Sequence, residues 1–120
     1  MNASRKARRT TRPLAALFAA LLSTAAFAAD DAASIARGRA LFMTNCTACH
    51  GNDGKSLVEA VSDATDLTEP KLYRSGSTDA DIERSIRDGV GGVMPPWGPV
   101  LGKEQSVRDL RNFIKSLWAK

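Results

Sequence analysis

The chain of 120 residues contains only one histidine and two cysteines. A zinc centre needs three or four protein ligands, and these residues are too few to supply them. Sustained alternation of apolar and polar residues, the pattern that predicts half-buried strands, is also missing. The sequence therefore excludes a zinc module built from cysteine and histidine, and it favours a fold without β-sheets.

Residues 1–28 have the order of zones that is typical of a secretory signal peptide. Five basic residues come first with no acidic residue, an apolar run over 14–22 follows, and Ala26-Phe27-Ala28 ends the segment. We expect cleavage after this tripeptide to leave one domain of residues 29–120 in the periplasm. The whole apolar stretch is shorter than the roughly 20 residues of a membrane-spanning helix, so a retained membrane anchor is not expected.

The net charge changes sign when this leader is removed. The full chain has 17 Lys and Arg against 13 Asp and Glu, a formal charge of +4. Because the leader carries five cations and no acid, residues 29–120 keep twelve cations against thirteen acids, a net charge of −1. Binding to nucleic acid depends on an excess of positive charge, so a basic nucleic-acid-binding protein is excluded.

Both cysteines and the only histidine lie in the run Cys46-Thr47-Ala48-Cys49-His50, the C-x-x-C-H signature of covalent haem attachment. A turn of helix spaces the two thiols to reach the vinyl groups on one side of a porphyrin, and the adjacent imidazole then faces the iron. A structural disulfide and a redox-active dithiol are the alternatives. The dithiol lacks the strand that should precede it, since the flanking residues predict helix. We expect one covalent haem c.

The predicted fold is all-α. Residues 34–45 place apolar side chains at helical spacing, with Asp30, Asp31 or Ser34 available as the N-cap. Gly38 lies within this helix at a cost of about 1 kcal/mol relative to Ala, so we expect a second helix to approach closely there, near Phe113. The apolar stripe of that last helix comprises Val107, Leu110, Phe113, Ile114 and Leu117, and its polar face is expected to comprise Arg108, Asp109, Arg111, Asn112 and Lys115.

Two further helical segments and long loops complete the expected fold. Residues 68–76 predict a short helix with proline near its start and glycine at its end. Residues 78–89 predict a longer helix that Thr78 caps and Gly89 ends. The polar connection 52–66 is too long for an empty small domain but suits a chain wrapped around a flat cofactor. We expect a small cytochrome c-like fold of three to five helices around one covalently bound haem.

The second axial position of the iron decides between an electron carrier, which needs a ligand there, and a binder or catalyst, which needs an open site. Met1 leaves with the leader, and Met43 lies on the proximal side, in a helix where a core position is expected. Met94 remains, in a loop over 89–99 whose glycines allow close approach to a porphyrin and whose Pro95-Pro96 pair stiffens the backbone. We interpret Met94 as the distal ligand, with an ordinary core methionine as the alternative.

At these positions the chain resembles the class I c-type cytochromes, and the stretch 66–102 is most similar to the haem domains of bacterial oxidase subunits. The matching residues are Gly38, Phe42, Cys46, Cys49, His50, Met94-Pro95-Pro96-Trp97-Gly98 and residues 109–117, which form the end of the last predicted helix. The resemblance implies His50 as proximal ligand, Met94 as distal ligand and electron transfer as the activity, rather than catalysis by this chain alone. A thioether ligand favours ferrous iron, so a positive reduction potential is expected.

Four side chains are candidates for contacts with the haem propionates. Tyr73 and Trp97 have polar tips that could donate hydrogen bonds, with core packing as the alternative. Arg74 and Arg87 could neutralise the carboxylates, with a solvated surface position as the alternative.

The chain departs from its resemblance at Ala64-Thr65. Relatives often carry a proline there, before Leu67, and that region orients the proximal imidazole. The carbonyl that accepts the Nδ1–H hydrogen bond of His50 is therefore not identified from the sequence, although such a bond tunes the iron.

We expect a monomer that binds one redox protein as donor and another as acceptor, briefly and through a small interface near the exposed haem edge. Contact with a membrane is expected only through a membrane-bound redox partner. Two alternatives remain. A haem-based ligand binder or peroxidase-like enzyme would need a polar distal residue, and no second histidine exists. A dedicated cytochrome subunit of a periplasmic dehydrogenase would use the same chemistry with a different partner.

Overall fold

A computed structural model describes residues 31–56 and 63–118. The predicted signal peptide and the middle of the predicted polar connection lie outside the described residues. Within them the chain forms five helices: α1 over 31–45, α2 over Thr47–His50, α3 over Asp79–Asp88, α4 over Gly98–Leu101 and α5 over Glu104–Ser116. No strand occurs in this part of the chain. The only β-type pairing among the described residues is an isolated bridge between Val90 and Met94. The all-α prediction is confirmed.

Helix α3 is the segment that the sequence predicted most fully. The Thr78 hydroxyl accepts a hydrogen bond from the backbone N–H of Asp81, and the Asp81 carboxylate accepts one from the backbone N–H of Thr78. This reciprocal capping box satisfies two backbone donors that the first turn leaves without partners. Gly89 ends the helix with φ 78°, a conformation that residues with a Cβ rarely adopt.

The segment 68–76 contains less helix than predicted. Only Pro70–Leu72 form a helical turn, and it is of the 3-10 type. Proline stands at its start as expected, but the chain turns extended at Tyr73 instead of continuing to Gly76. The Tyr73 hydroxyl donates a hydrogen bond to the Leu67 carbonyl, and this bond accompanies the extended backbone at Tyr73.

Helices α1 and α5 cross where the sequence predicted, at Gly38. A Cβ atom added to Gly38 would lie 1.9 Å from the carbonyl oxygen of Asp109 and 2.9 Å from the Cβ of Phe113. One turn further along α1, the ring of Phe42 packs against that of Phe113 with centroids 5.1 Å apart. The absence of a side chain at Gly38 is therefore what allows the two backbones to meet.

The hydrophobic core lies between α5 and the other elements. Its buried members are Phe42, Leu67, Ile82, Ile86, Val107, Leu110, Phe113 and Ile114. Arg111, on the flank of α5, pairs with Asp79 and Glu83 of α3 and so ties these two helices together at the edge of the core. Within the described residues, no helix is both long and apolar enough to cross a membrane.

Asp109 is not on the solvent face of α5, where the sequence placed it. It is 3% exposed and accepts hydrogen bonds from Ser34 Oγ at 2.6 Å, from Arg37 Nε and Nη2 at 2.8 and 3.1 Å, and from Gln105 Nε2 at 2.9 Å. Asp31 and Ser34 lie inside α1, so neither of these two N-cap candidates caps the helix, and the third, Asp30, lies outside the described residues. Periodicity assigns charged residues to solvent, but here the donors on α1 offset the cost of burying a carboxylate.

Replacing Gly38 with valine should destabilise the domain by more than the change in helix propensity. The added side chain meets backbone atoms, which have no rotamer to adopt, so α1 and α5 must move apart at an overpacking cost of about 1–3 kcal/mol. Ala36→Val is the matched control, because it adds a β-branched side chain on the exposed face of α1. Equal denaturation midpoints for the two variants would contradict the proposed packing.

The Asp109 cluster should make stability depend on pH. Burial by itself raises the pKa of Asp109, but the hydrogen bonds from Arg37, Ser34 and Gln105 outweigh it and hold the pKa at about 2. A lowered folded-state pKa gives stability that is full above the unfolded value near 3.9 and is lost as pH falls towards 2.

Asp109→Asn removes that titration. We therefore expect wild type to exceed this variant in unfolding free energy at pH 6, and the difference to shrink by on the order of 2 kcal/mol as pH falls from 4 to 2. Glu104→Gln is the control, since Glu104 pairs with Arg87 in solvent. A difference between wild type and Asp109→Asn that stays constant over this range would refute the account of the cluster.

Candidate haem-binding site

One apolar cleft lies beside the core, and it is lined by the four residues predicted to attach the haem or ligate its iron and by three of the four propionate candidates. Cys46, Cys49 and His50 line it from the end of α1 and from α2. Met94, Tyr73 and Trp97 line it from the loops, and its floor includes Ile82, Ile86, Leu110 and Ile114. The cleft is open to solvent on one side, so its empty space of about 1240 Å³ includes part of the surrounding solvent.

Met43 does not have the core position expected of it. It is 39% exposed and is not among the residues that line the cleft. Of the two methionines in the described part of the chain, only Met94 faces the site.

The helix ending positions the two thiols. Cys46 separates α1 from α2. Its N–H bonds to the Phe42 carbonyl at 2.9 Å, and its carbonyl accepts a hydrogen bond from the N–H of His50 at 2.9 Å. The two cysteines are not joined by a disulfide, and both are half-buried. Burial, followed by the proximity of Cys49, raises the pKa of the Cys46 thiol to about 11. Reactive dithiols have lowered pKa values, so this environment disfavours the redox-dithiol alternative.

The hydrogen bond of His50 fixes its tautomer. Nδ1 lies 3.1 Å from the carbonyl oxygen of Thr65. A carbonyl only accepts, so Nδ1 carries the hydrogen and Nε2 keeps its lone pair for a metal. Burial lowers the pKa of His50, with the Thr65 bond opposing in part, so the imidazole is neutral near pH 7. Thr65 therefore supplies the acceptor that the sequence left unidentified.

Backbone contacts hold the Thr65 segment against the motif. The N–H of Leu67 bonds to the carbonyl of Gly54 at 2.7 Å, which joins the segment before residue 57 to the segment after residue 62. Gly54 has φ 79°, and a Cβ there would lie 2.8 Å from Cδ1 of Leu117. This close approach connects the segment after the C-x-x-C-H motif to the residue that follows α5.

The Met94 loop is closed by its own backbone. Val90 and Met94 exchange hydrogen bonds, with the Val90 N–H at 2.9 Å from the Met94 carbonyl and the Met94 N–H at 3.1 Å from the Val90 carbonyl. A Cβ added to Gly89 would lie 2.4 Å from the Met94 carbonyl oxygen. The Trp97 N–H then bonds to the Ile86 carbonyl at 3.0 Å and anchors the loop to α3. These contacts hold Met94 at one position in the wall of the cleft.

Tyr73 uses its hydroxyl group within the protein. The hydroxyl donates to the Leu67 carbonyl at 2.8 Å and accepts from Nε1 of Trp118 at 3.1 Å. The rings of Tyr73 and Trp118 meet edge to face with centroids 6.3 Å apart. Because a phenol has one hydrogen to donate, Tyr73 in this arrangement forms a wall of the cleft and leaves no hydrogen for a propionate.

The two arginine candidates occupy different surroundings. Arg74 lines the mouth of the cleft. Arg87 is not among the lining residues, and its guanidinium pairs with the Glu104 carboxylate at 2.7 Å. The geometry therefore favours Arg74 over Arg87 as a counter-charge for an anionic group in the cleft.

The donor set fits a haem. Within residues 31–56 and 63–118, no group of three or more His, Cys, Asp or Glu side chains could hold a bare metal ion. Haem iron needs at most two axial ligands from the protein, and the cleft offers one neutral imidazole and one thioether. It also presents two free thiols and mostly apolar walls.

An all-α fold built around a C-x-x-C-H turn and an apolar cleft defines a c-type cytochrome. The chain belongs to the family described as cytochrome C oxidase, cbb3-type, subunit III, whose model matches residues 33–114. Membership of this family implies a covalently bound haem c. No solved structure gives a significant match to the chain.

Similar curated proteins bear the name of one kind of oxidase subunit. The chain is 38% identical over 90 residues to the cbb3-type cytochrome c oxidase subunit FixP of Azorhizobium caulinodans, covering 75% of this chain and 29% of that protein. It is 42% identical over 82 residues to FixP of Bradyrhizobium diazoefficiens, covering 68% and 27%. It is 35% identical over 96 residues to subunit CcoP of Rhodobacter capsulatus, covering 74% and 31%. The chain thus spans less than a third of each relative.

Proposed function

We propose that this protein is a periplasmic electron carrier of a respiratory chain and not an enzyme on its own. It holds one haem c on Cys46 and Cys49, with His50 as the proximal ligand and Met94 as the distal ligand. The observation that carries the proposal is the cleft that brings a neutral imidazole, a thioether and two free thiols together.

The haem supplies an iron that cycles between the ferric and ferrous states. The protein's own contribution is to bind, orient and shield it. Two thioether links retain the group after export, the Thr65 carbonyl orients His50, and the closed loop keeps Met94 in place. A soft thioether favours the ferrous state and an apolar wall disfavours the extra positive charge of the ferric state, so both raise the reduction potential.

The partners follow from this role. The relatives are named as subunits of a cbb3-type oxidase, which supports a membrane-bound respiratory complex as one redox partner of this chain. We propose that the carrier is a monomer that meets its donor and acceptor briefly. A dedicated subunit of a periplasmic dehydrogenase remains the alternative arrangement of the same chemistry.

The environment of Met94 argues against an open distal site. The lining residues next to Met94 in the sequence are Val90, Val93, Pro95 and Trp97, and none of them carries a charge. The one arginine that lines the cleft, Arg74, belongs to the segment after Tyr73 and not to the Met94 loop. A peroxidase-like enzyme needs a polar group such as His or Arg there to assist bond cleavage or to stabilise a bound ligand.

Substitution of Met94 tests the function directly. The reduced wild-type protein should resist carbon monoxide at neutral pH, and the oxidised protein should show the weak near-infrared band of a methionine–ferric pair. Met94→Ala removes the thioether, so it should admit carbon monoxide, lose the band and lower the reduction potential.

Met43→Ala is the matched control for this experiment. It makes the same change at an exposed methionine outside the cleft, and it should leave the band, the potential and the carbon monoxide response unchanged. Ready binding of carbon monoxide by wild type, together with an unchanged potential in Met94→Ala, would instead support the open-site alternative.

A further inference from the structure

Ser56 has an unusual backbone conformation. Its φ is 59°, and among the described residues it is the only one other than glycine with a positive φ. Residues with a Cβ avoid this region because the side chain crowds the backbone, and the conformation persists only when surrounding contacts enforce it. The contacts that enforce it lead to the proximal side of the haem cleft.

Ser56 is bonded to both partners of the proximal hydrogen bond. Its backbone N–H donates to the carbonyl of His50 at 3.0 Å. Its hydroxyl donates to the carbonyl of Thr65, the same oxygen that lies 3.1 Å from His50 Nδ1. Ser56 therefore closes a ring of contacts that contains the imidazole, its acceptor and the backbone of the haem motif.

The Thr65 carbonyl oxygen thus accepts hydrogen bonds from two donors, His50 Nδ1–H and the Ser56 hydroxyl. Each hydrogen bond draws electron density from the carbonyl, so a carbonyl that already accepts from the Ser56 hydroxyl is a weaker acceptor for His50 Nδ1–H. The Ser56 oxygen itself lies 3.4 Å from Nδ1, beyond the usual length of a hydrogen bond, so its direct contact with the imidazole is the smaller effect.

We propose that Ser56 is a positioning residue that sets the reduction potential through the shared Thr65 carbonyl. A strong bond from Nδ1–H gives the imidazole partial negative charge and favours ferric iron, whereas a weakened bond favours ferrous iron. The Ser56 hydroxyl weakens the bond and so raises the potential. This inference rests on the proposed function, because it takes His50 as the proximal ligand.

Two variants separate the hydroxyl from the backbone. Ser56→Ala removes the hydroxyl and keeps a Cβ at positive φ, whereas Ser56→Gly removes both the hydroxyl and the strain. The hydroxyl account predicts that both variants lower the reduction potential of the holoprotein by a similar amount. It also predicts a downfield shift of the His50 Nδ1–H proton in the NMR spectrum of the reduced protein, because its bond to Thr65 strengthens.

Asn52→Ala is the control, since Asn52 is a neutral, exposed residue of the same turn. It should change neither the potential nor the Nδ1–H resonance. The proposal is overturned if both Ser56 variants leave the potential unchanged or raise it. It is equally overturned if only Ser56→Gly lowers the potential, which would assign the effect to the release of backbone strain.

Failure of the wider function gives a different signature. The near-infrared methionine band of the oxidised protein would report on Met94, which takes no part in the hydrogen bonds that join Ser56, His50 and Thr65. If wild type lacks that band, the distal assignment fails, and the Nδ1–H resonance and the potential still decide the role of Ser56. If the band is present in wild type and in both variants, a change in potential is traced to the proximal side.

Discussion

The close approach of α1 and α5 at Gly38 is the constraint on which the rest of the structure depends. Backbone atoms meet there, so the angle and the depth of the crossing are fixed by contacts that no side chain can adjust. Phe42 locks the same crossing one turn later by packing on Phe113. Since Cys46 follows Phe42 by four residues, the crossing determines where the haem motif leaves the helix and which wall of the cleft it forms.

The two proposed iron ligands, His50 and Met94, are positioned mainly by backbone hydrogen bonds. Thr65 orients His50 through its carbonyl, and the Val90–Met94 exchange closes the distal loop. A site with one histidine and one methionine gains rigidity in this way without adding polar side chains to an apolar cleft. Apolar walls raise the reduction potential of a haem. Support by backbone hydrogen bonds therefore keeps the cleft apolar, as a high potential requires.

Much of this architecture could be predicted because its signals are local. The C-x-x-C-H motif and the N-cap at Thr78 are recognised from neighbouring residues, and Gly38 indicates a close approach because glycine is costly inside a helix. The Thr65 carbonyl and the burial of Asp109 could not be predicted. Any residue offers a carbonyl, and two of the three donor residues of Asp109, Ser34 and Arg37, come from a helix more than 70 positions away in sequence. The exposure of Met43 and the internal bonds of Tyr73 depend likewise on tertiary placement, which periodicity does not encode.

The central claim is that His50 and Met94 would both ligate the iron of the bound haem, in the ferric and in the ferrous state. X-ray absorption at the iron edge of the wild-type holoprotein tests it most directly, because scattering from sulfur is distinguishable from scattering from nitrogen or oxygen. The account predicts one sulfur ligand, besides nitrogen ligands, in the ferric and in the ferrous protein. A first shell of nitrogen and oxygen alone in either state would contradict it.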